Sequence, residues 1–206
     1  MREHLILFAR SPFSPGVKTR LARGLGGSAA RGIYARLLYQ TLFRLLEGRQ
    51  PHVKITLSLA DGKGLPFFKE AFPELRVTHQ CAGSLGVRMH AALKEAFDDG
   101  AEKSVLIGSD LPEMHYPLIR KAFDQIDPTT IVLGPAEDGG FYLIGVPAFP
   151  GSEIFGGIPW STPNVLSRLV ENIQQSGYQS SLLATQRDID HAADWHAWQA
   201  RMQHHR

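Results

Sequence analysis

The sequence predicts an α/β protein built on a mixed, mainly parallel sheet with helices covering both faces. Three features point there. Short apolar runs alternate with segments of helical periodicity from one end of the chain to the other. Runs such as Val105-Leu-Ile107 are apolar at successive positions, the pattern of strands buried on both sides. No repeat, low-complexity tract or long linker interrupts the alternation, so residues 1–206 read as one domain large enough to bury a substantial core.

Taken in order, residues 4–9 form a short buried strand, and Ser11, Pro12, Pro15 and Gly16 then stop regular structure before a helix begins near Thr19. Ile33, Leu37, Leu38, Leu42, Leu45 and Leu46 recur at helical spacing until Gly48 and Pro51 close the element. Residues 53–59 alternate with a period of two as a strand, 67–71 form a short helix, 76–79 a further strand, 85–97 an amphipathic helix and 104–108 a buried strand. A helix over 116–125 follows. Residues 130–133 and 141–144 are strands flanking a polar turn, 162–176 is helical, 180–183 is a last strand and 192–202 a terminal helix. In sheets of this kind ligands lie beyond the carboxyl ends of the strands.

A net charge of +2 is too small for a general nucleic-acid or membrane binder, but its distribution is uneven. Residues 4–46 hold seven lysines and arginines and no acid, whereas fourteen of the twenty acids follow residue 97. That asymmetry predicts phosphates on one side of a site and carboxylates on the other. The single Cys81 excludes an internal disulfide and a cysteine-rich metal site, and fits a reducing compartment. No cationic leader precedes an apolar stretch and no run approaches the length of a membrane helix, so the expectation is a cytoplasmic protein without an integral membrane segment.

The basic region centres on Arg10-Ser-Pro-Phe-Ser-Pro-Gly16-Val-Lys18-Thr-Arg20-Leu-Ala-Arg23. A strand, a glycine-turned bend and a helix N-terminus bring backbone N–H groups and the positive end of a helix dipole together, and Lys18, Arg20 and Arg23 add full charges. Such a place suits a di- or triphosphate. It is not a Walker A loop, because Gly16 and Lys18 are not adjacent. Arg31, Arg36 and Arg44 read as a solvated helix face.

Carboxylates appear at three later strand ends. Ser109-Asp110-Leu-Pro112 follows a buried strand, and the proline keeps Leu111 out of helix. A divalent ion in nucleotide enzymes is held by one or two carboxylates plus phosphate oxygens, which makes Asp110 a candidate metal ligand; the competing reading is a cap on the next helix. Glu137-Asp138-Gly139-Gly140 reads either as an Asp-Gly hairpin turn or as a pair of acids beside an unobstructed backbone. In the second reading Asp138, then Glu137, is the candidate base for an acceptor hydroxyl. Asp190, before the terminal helix, is a candidate second metal ligand or a cap.

Several pieces together resemble a known family. Phe8-Ala-Arg-Ser-Pro12, Gly16-Val-Lys-Thr-Arg-Leu21, Gly83-Ser-Leu-Gly-Val-Arg-Met89, Ile107-Gly-Ser-Asp-Leu-Pro112, Gly134-Pro-Ala-Glu-Asp-Gly-Gly-Phe-Tyr-Leu-Ile-Gly145, Trp160-Ser-Thr162 and Asp188-Ile-Asp190 follow the order seen in the bacterial GT-A-type glycosyltransferases called radical-SAM/selenodomain-associated transferases. The resemblance spans nearly the whole chain. It implies the nucleotide-diphospho-sugar transferase (GT-A, Rossmann-like) fold, a nucleotide over the first half of the sheet and a divalent metal, Mg²⁺ or Mn²⁺, at Asp110. The Lys18-Thr-Arg-Leu21 start and the Asp190…Asp194 ending also resemble phospholactate guanylyltransferases, in which the first loop holds triphosphate and an aspartate near the last helix aids the metal. Ser84 and Val87 stand where the family usually has two acids, which leaves the orientation of Arg88 open.

The expected enzyme is therefore a metal-dependent glycosyltransferase acting on a nucleoside-diphosphate sugar and a small-molecule acceptor. Its alternatives are a guanylyl- or cytidylyl-type nucleotidylyltransferase, using a nucleoside triphosphate and a phosphorylated small molecule, and a noncatalytic nucleotide-sensing module. Expected phosphate and nucleotide contacts are Ala9, Arg10, Gly16, Lys18, Arg20, Gly83, Ser84, Arg88 and Asp110, with Lys18 also stabilising the leaving group. Gly139, Gly140 and Trp160 face the acceptor, and Asp110 and Asp190 the metal. The whole expectation requires the basic bend and Asp110 to share one cleft.

Overall fold

The computed structural model describes residues 2–204, and of His204 only its backbone. Its elements run β1 (Glu3–Ala9), α1 (Thr19–Leu25), α2 (Gly27–Gly48), β2 (Val53–Leu59), α3 (Leu65–Ala71), β3 (Arg76–His79), α4 (Leu85–Asp98), β4 (Lys103–Gly108), α5 (Tyr116–Gln125), β5 (Thr130–Pro135), β6 (Phe141–Val146), α6 (Val165–Gln175), β7 (Gln179–Leu182) and α7 (Ala192–His204). The strands form one seven-stranded sheet in the order β3-β2-β1-β4-β6-β5-β7. Only β6 runs antiparallel to its neighbours.

Alternation along the strands divides the core between the two faces. Leu5 and Leu7 of β1 and Val105 and Ile107 of β4 join Leu38 and Leu42 of α2, Phe68 of α3 and Ile119 and Phe123 of α5. Ile6 and Leu106 point the other way, toward Met89 and Leu93 of α4 and Leu169 and Ile173 of α6. Both clusters are buried, so the sheet is covered on both sides as its apolar runs require. A smaller cluster joins Leu21 and Leu37 to Ile189, Trp195 and Trp198, which fastens α7 onto α1 and α2.

The helical periodicity beginning at Ile33 belongs to a helix that starts earlier, at Gly27. Gly26, at φ +83°, is the break: it caps the end of α1 through a hydrogen bond to Ala22 O and begins α2. At the other end of the chain α6 starts at Val165 rather than at 162. Thr162 stays in a turn, its hydroxyl donating to Pro159 O and accepting from Asn164 N. Because β6 is the one reversed strand, the carboxyl ends of β1, β2, β3, β4, β5 and β7 all open on one edge.

Candidate active site

The loop after β1 is pinned by three partners. Ala9 O accepts from Ala60 N at 2.8 Å, and Asp61, just past β2, accepts from Ser11 N at 3.2 Å. Tyr34 of α2 does more. Its hydroxyl accepts from Arg10 N at 2.9 Å, donates to Arg10 O at 3.0 Å and lies 3.0 Å from Ser109 Oγ. One buried phenol therefore clips the end of β1 to the end of β4. Gly64 must be small here, since a Cβ would come within 2.6 Å of Ser11 Oγ.

Beyond that clip, Gly16 has φ +73° and Lys18 adopts a left-handed conformation at φ 53°, ψ 53°, directly before α1. The Lys18 side chain turns inward and is 8% exposed. Its ammonium lies 3.0 Å from Asp110 Oδ2 and 2.6 Å from Asp190 Oδ1, while Arg20 Nη1 reaches Asp190 Oδ2 at 3.2 Å. Burial alone would lower the lysine pKa; Asp110 and Asp190 outweigh it and raise the value to about 12. Asp190 is held below the usual carboxylate range: burial opposes this, but Lys18, Arg20 and His191 prevail.

The basic bend and Asp110 thus touch directly, without a gap between them. Arg10 contributes its backbone to the clip and exposes its side chain. Arg23 lies on an open groove of about 390 Å³ shared with Arg20, Gly24 and His191, where α1 meets α7. Arg44 is not part of a solvated face: its Nη1 donates to Pro112 O at 2.7 Å and braces the loop after Asp110.

Helix capping accounts for neither Asp110 nor Asp190. His115 caps α5, its Nδ1 accepting from Leu118 N, so Asp110 lies upstream of the helix start. Asp194, inside the first turn of α7, accepts from Asp190 N and His191 N and leaves the Asp190 carboxylate to Lys18. The two loops also meet through backbone, Ile189 N donating to Asp110 O at 3.2 Å.

Asp188, in the same loop, is an addition to the expected set. Burial first, then the charges of Asp190 and Asp138, push its carboxyl up to about 6. Asp138 therefore faces the acidic group electrostatically, while its Oδ1 accepts from Gly140 N at 2.8 Å in the manner of an Asx turn. Glu137 is drawn outward by Arg187, with Nη2 at 2.5 Å and Nε at 2.6 Å. Gly139, at φ +86°, packs so close to Pro163 that a Cβ would strike the Pro163 backbone, and its carbonyl accepts from Leu166 N.

At the far side, Ser84 caps α4, accepting from Val87 N at 3.3 Å. Gly83 precedes it at φ +126°. Trp160 lies across the α4 start, its ring 3.0 Å from where a Gly86 Cβ would be and 6.5 Å from the Phe141 centroid. Arg88 has a partner that sequence reading missed: Nη1 donates to Gln80 Oε1 at 2.9 Å, and Gln80 Nε2 donates to Ser58 O at 2.8 Å. A buried amide after β3 takes the anchoring role that neither Ser84 nor Val87 offers.

Among the described residues, no three His, Cys, Asp or Glu side chains gather closely enough to hold a metal by themselves. Two carboxylates converging on one cationic point do fit an ion that takes its other ligands from phosphate and water. No helix of the described residues is long and apolar enough to cross a membrane.

A family model described as "Uncharacterized protein conserved in bacteria (DUF2064)" matches residues 42–162, more than half of the chain. The chain belongs to the DUF2064 family. The match includes Gly83–Arg88, Asp110 and the Glu137–Gly140 turn, and leaves Lys18, Arg20 and Asp190 outside it. A crystal structure from Desulfovibrio desulfuricans G20, described as a proposed nucleotide-diphospho-sugar transferase, is 30% identical to this DUF2064 protein, with a TM-score of 0.85 over 96% of this chain and 87% of that one. Two more distant structures share the fold. A Pyrobaculum calidifontis mannosyltransferase in complex with GDP-Man and Mn²⁺ is 15% identical, with a TM-score of 0.56 over 98% of this chain and 60% of that one. A 4-diphosphocytidyl-2C-methyl-D-erythritol synthase from Anaerococcus prevotii is 12% identical, with a TM-score of 0.62 over 98% and 96%. No curated protein matches the chain in sequence.

Proposed function

We propose that this DUF2064 protein is a metal-dependent transferase that moves a sugar from a nucleoside-diphosphate sugar to a small acceptor. The observation that carries the reading is the convergence of Asp110, from the end of β4, and Asp190, from the loop before α7, on the ammonium of the basic loop. The 30% identity to the Desulfovibrio desulfuricans protein supports the same chemistry. The motif order extends to it the name of the radical-SAM/selenodomain-associated transferases.

In this reading Asp110 and Asp190 hold Mg²⁺ or Mn²⁺, which when bound supplies Lewis-acid charge to the pyrophosphate oxygens. Lys18 and Arg20, with the backbone N–H of Gly16, neutralise the charge that develops on the leaving nucleoside diphosphate; the N–H groups of Arg10, Ser11, Phe13 and Ser14 are spent on holding the loop itself. The nucleoside lies over the Gly83–Arg88 turn, and the acceptor enters between Gly139, Gly140 and Trp160. Asp138, rather than the arginine-paired Glu137, takes the acceptor proton if the anomeric configuration inverts. Residues 1–206 form one domain in this reading, and the lone Cys81 suits a reducing cytoplasm.

Nucleotidylyl transfer is the second reading, in which a phosphorylated acceptor attacks the α-phosphorus of a nucleoside triphosphate. It draws on the resemblance of the Lys18-Thr-Arg-Leu21 and Asp190…Asp194 segments to phospholactate guanylyltransferases, and on a fold shared almost end to end with the Anaerococcus prevotii synthase. One assay separates them. The protein is incubated with Mn²⁺ or Mg²⁺ and panels of sugar nucleotides and nucleoside triphosphates. Release of nucleoside diphosphate with free sugar supports glycosyl transfer; release of pyrophosphate supports nucleotidylyl transfer. Metal-independent nucleotide binding with no product from either panel returns the protein to a noncatalytic sensor.

A further inference from the structure

The point at which Asp110 and Asp190 converge is filled by the protein itself. Lys18 Nζ contacts both carboxylates, yet its side chain is 8% exposed while those of Asp110 and Asp190 are 43% and 27% exposed. The lysine is thus the most enclosed member of the group. It reaches this position from a backbone that L-residues rarely adopt: among the described residues only Lys18 and Ser161 combine a side chain with positive φ. Such a conformation persists where surrounding contacts over-determine it. Here the two ion pairs are those contacts, since α1 begins without any side-chain cap hydrogen bond at Lys18. Arg20 does not duplicate the role, because it reaches Asp190 alone and is half exposed.

An ammonium and a divalent ion compete for the same oxygens. A metal arriving alone must displace Lys18 from both carboxylates and leave a buried ammonium without a counter-ion, which is strongly unfavourable. A metal arriving with a polyphosphate brings anionic oxygens that give the displaced ammonium a new partner. We propose that Lys18 is a resident surrogate cation: in the nucleotide-free protein its ammonium holds the position between Asp110 and Asp190, and a divalent ion gains both carboxylates only when phosphates draw that ammonium away. Metal and nucleotide then enter together, and the lysine that guarded the acids becomes a phosphate ligand. This rests on the proposed nucleotide-dependent function for the identity of the phosphate, but its first consequence needs no nucleotide at all.

The experiment is a Mn²⁺ titration of the full chain without nucleotide, following loss of the free-ion EPR signal, for the parent, Lys18→Met and Lys18→Asn. Asparagine tolerates the left-handed backbone and so separates loss of charge from strain. Circular dichroism verifies that each variant folds. The expected result is Mn²⁺ affinity at least about tenfold tighter in both variants than in the parent, because two carboxylates lose their internal cation. Equal affinity in parent and variants overturns the proposal, as does a folded variant that binds no Mn²⁺. Should neither variant fold, the parent still decides: Mn²⁺ binding tighter than about 10 μM without nucleotide overturns it, and weaker binding agrees with it. Tighter binding in the variants alongside no turnover of any nucleotide would sink the transferase reading and leave the surrogate cation standing. Turnover together with unchanged Mn²⁺ affinity would do the reverse.

Discussion

The Tyr34 hydroxyl lies 3.0 Å from Ser109 Oγ and also bonds both backbone polar groups of Arg10, so a single helix residue fixes the relative position of the loops after β1 and β4. Burial, followed by the nearby Asp110 charge, raises its pKa to about 12, and the phenol stays protonated and able to donate at neutral pH. Tyr34→Phe is expected to cost about 1–3 kcal/mol by leaving the Arg10 amide and carbonyl without this partner. Urea unfolding measures the loss. Nucleotide affinity should fall with it, and a variant as stable and as tight-binding as the parent would show that the clip is incidental.

Removing charge at the strand tip should act on turnover more than on folding. Asp110→Asn takes one of two carboxylates from the buried Lys18 ammonium and leaves it Asp190, so stability should fall by about 1–3 kcal/mol while product formation falls by about two orders of magnitude or more. Arg36 lies 6.0 Å over the Trp198 ring, away from the acids, and Arg36→Ala should leave turnover within about twofold. Initial rates of the two variants side by side provide the check.

Gln80 anchors Arg88 to β2, and Gln80→Ala removes the acceptor of Arg88 Nη1 while its buried Nε already lacks a partner among the described residues. If the nucleoside lies over the Gly83–Arg88 turn as proposed, an arginine freed in this way would position it less well. KM for the nucleotide is expected to rise by about tenfold with kcat nearly unchanged, the pattern of lost uniform binding. Steady-state kinetics at varied nucleotide concentration would expose the opposite result, a fall in kcat at constant KM.

Asp188 makes stability depend on pH in an unusual direction. Its folded value of about 6 exceeds the ordinary 3.8, so between those two values the folded state keeps a proton that the unfolded chain has released. Stability from this group is therefore full below about pH 3.8 and declines as pH rises through 6. Asp188→Asn should raise Tm relative to the parent at pH 7.5 and change it much less at pH 4. Thermal scans at both pH values decide, and a gain confined to pH 4 would contradict the sign.

Gly139 has no room for a side chain and a positive φ of 86°. Gly139→Ala combines left-handed strain with a collision against the Pro163 backbone and should cost about 3 kcal/mol or more. It is expected to unfold at lower denaturant concentration. A near-neutral effect would mean that the residue 136–140 turn can move away from Pro163.

Local periodicity made most elements readable. The ranges of β2, β3 and α5 follow from it directly, because alternation of two and spacing of 3.6 are properties of neighbouring residues. The break at Gly26 was not readable, since a glycine within a helical stretch marks an end only when its φ is positive. Tyr34 fell at a core-like helical position, and nothing local separates a phenol that fills space from one that bonds two loops. Arg44 had the same ambiguity on the polar face. Asp61 and Gln80 carried a signal, as polar residues just past strand ends, but the backbone groups that fix them, Ser11 N and Ser58 O, lie 50 and 22 residues away.

By itself the sequence determined a two-sided α/β sheet, a basic bend leaving its first strand and an acid at the tip of β4, because each follows from residues close together in the chain. Tertiary structure alone decided that Lys18 meets Asp190 across 172 residues, with Asp188 drawn into partial burial beside them. The reason is topological: β1 becomes the direct neighbour of β4, and the Ile189–Trp198 contacts fold the last helix back onto α1 and α2. Strand order and that long-range packing bring opposite charges to one point, and no spacing in the sequence encodes either.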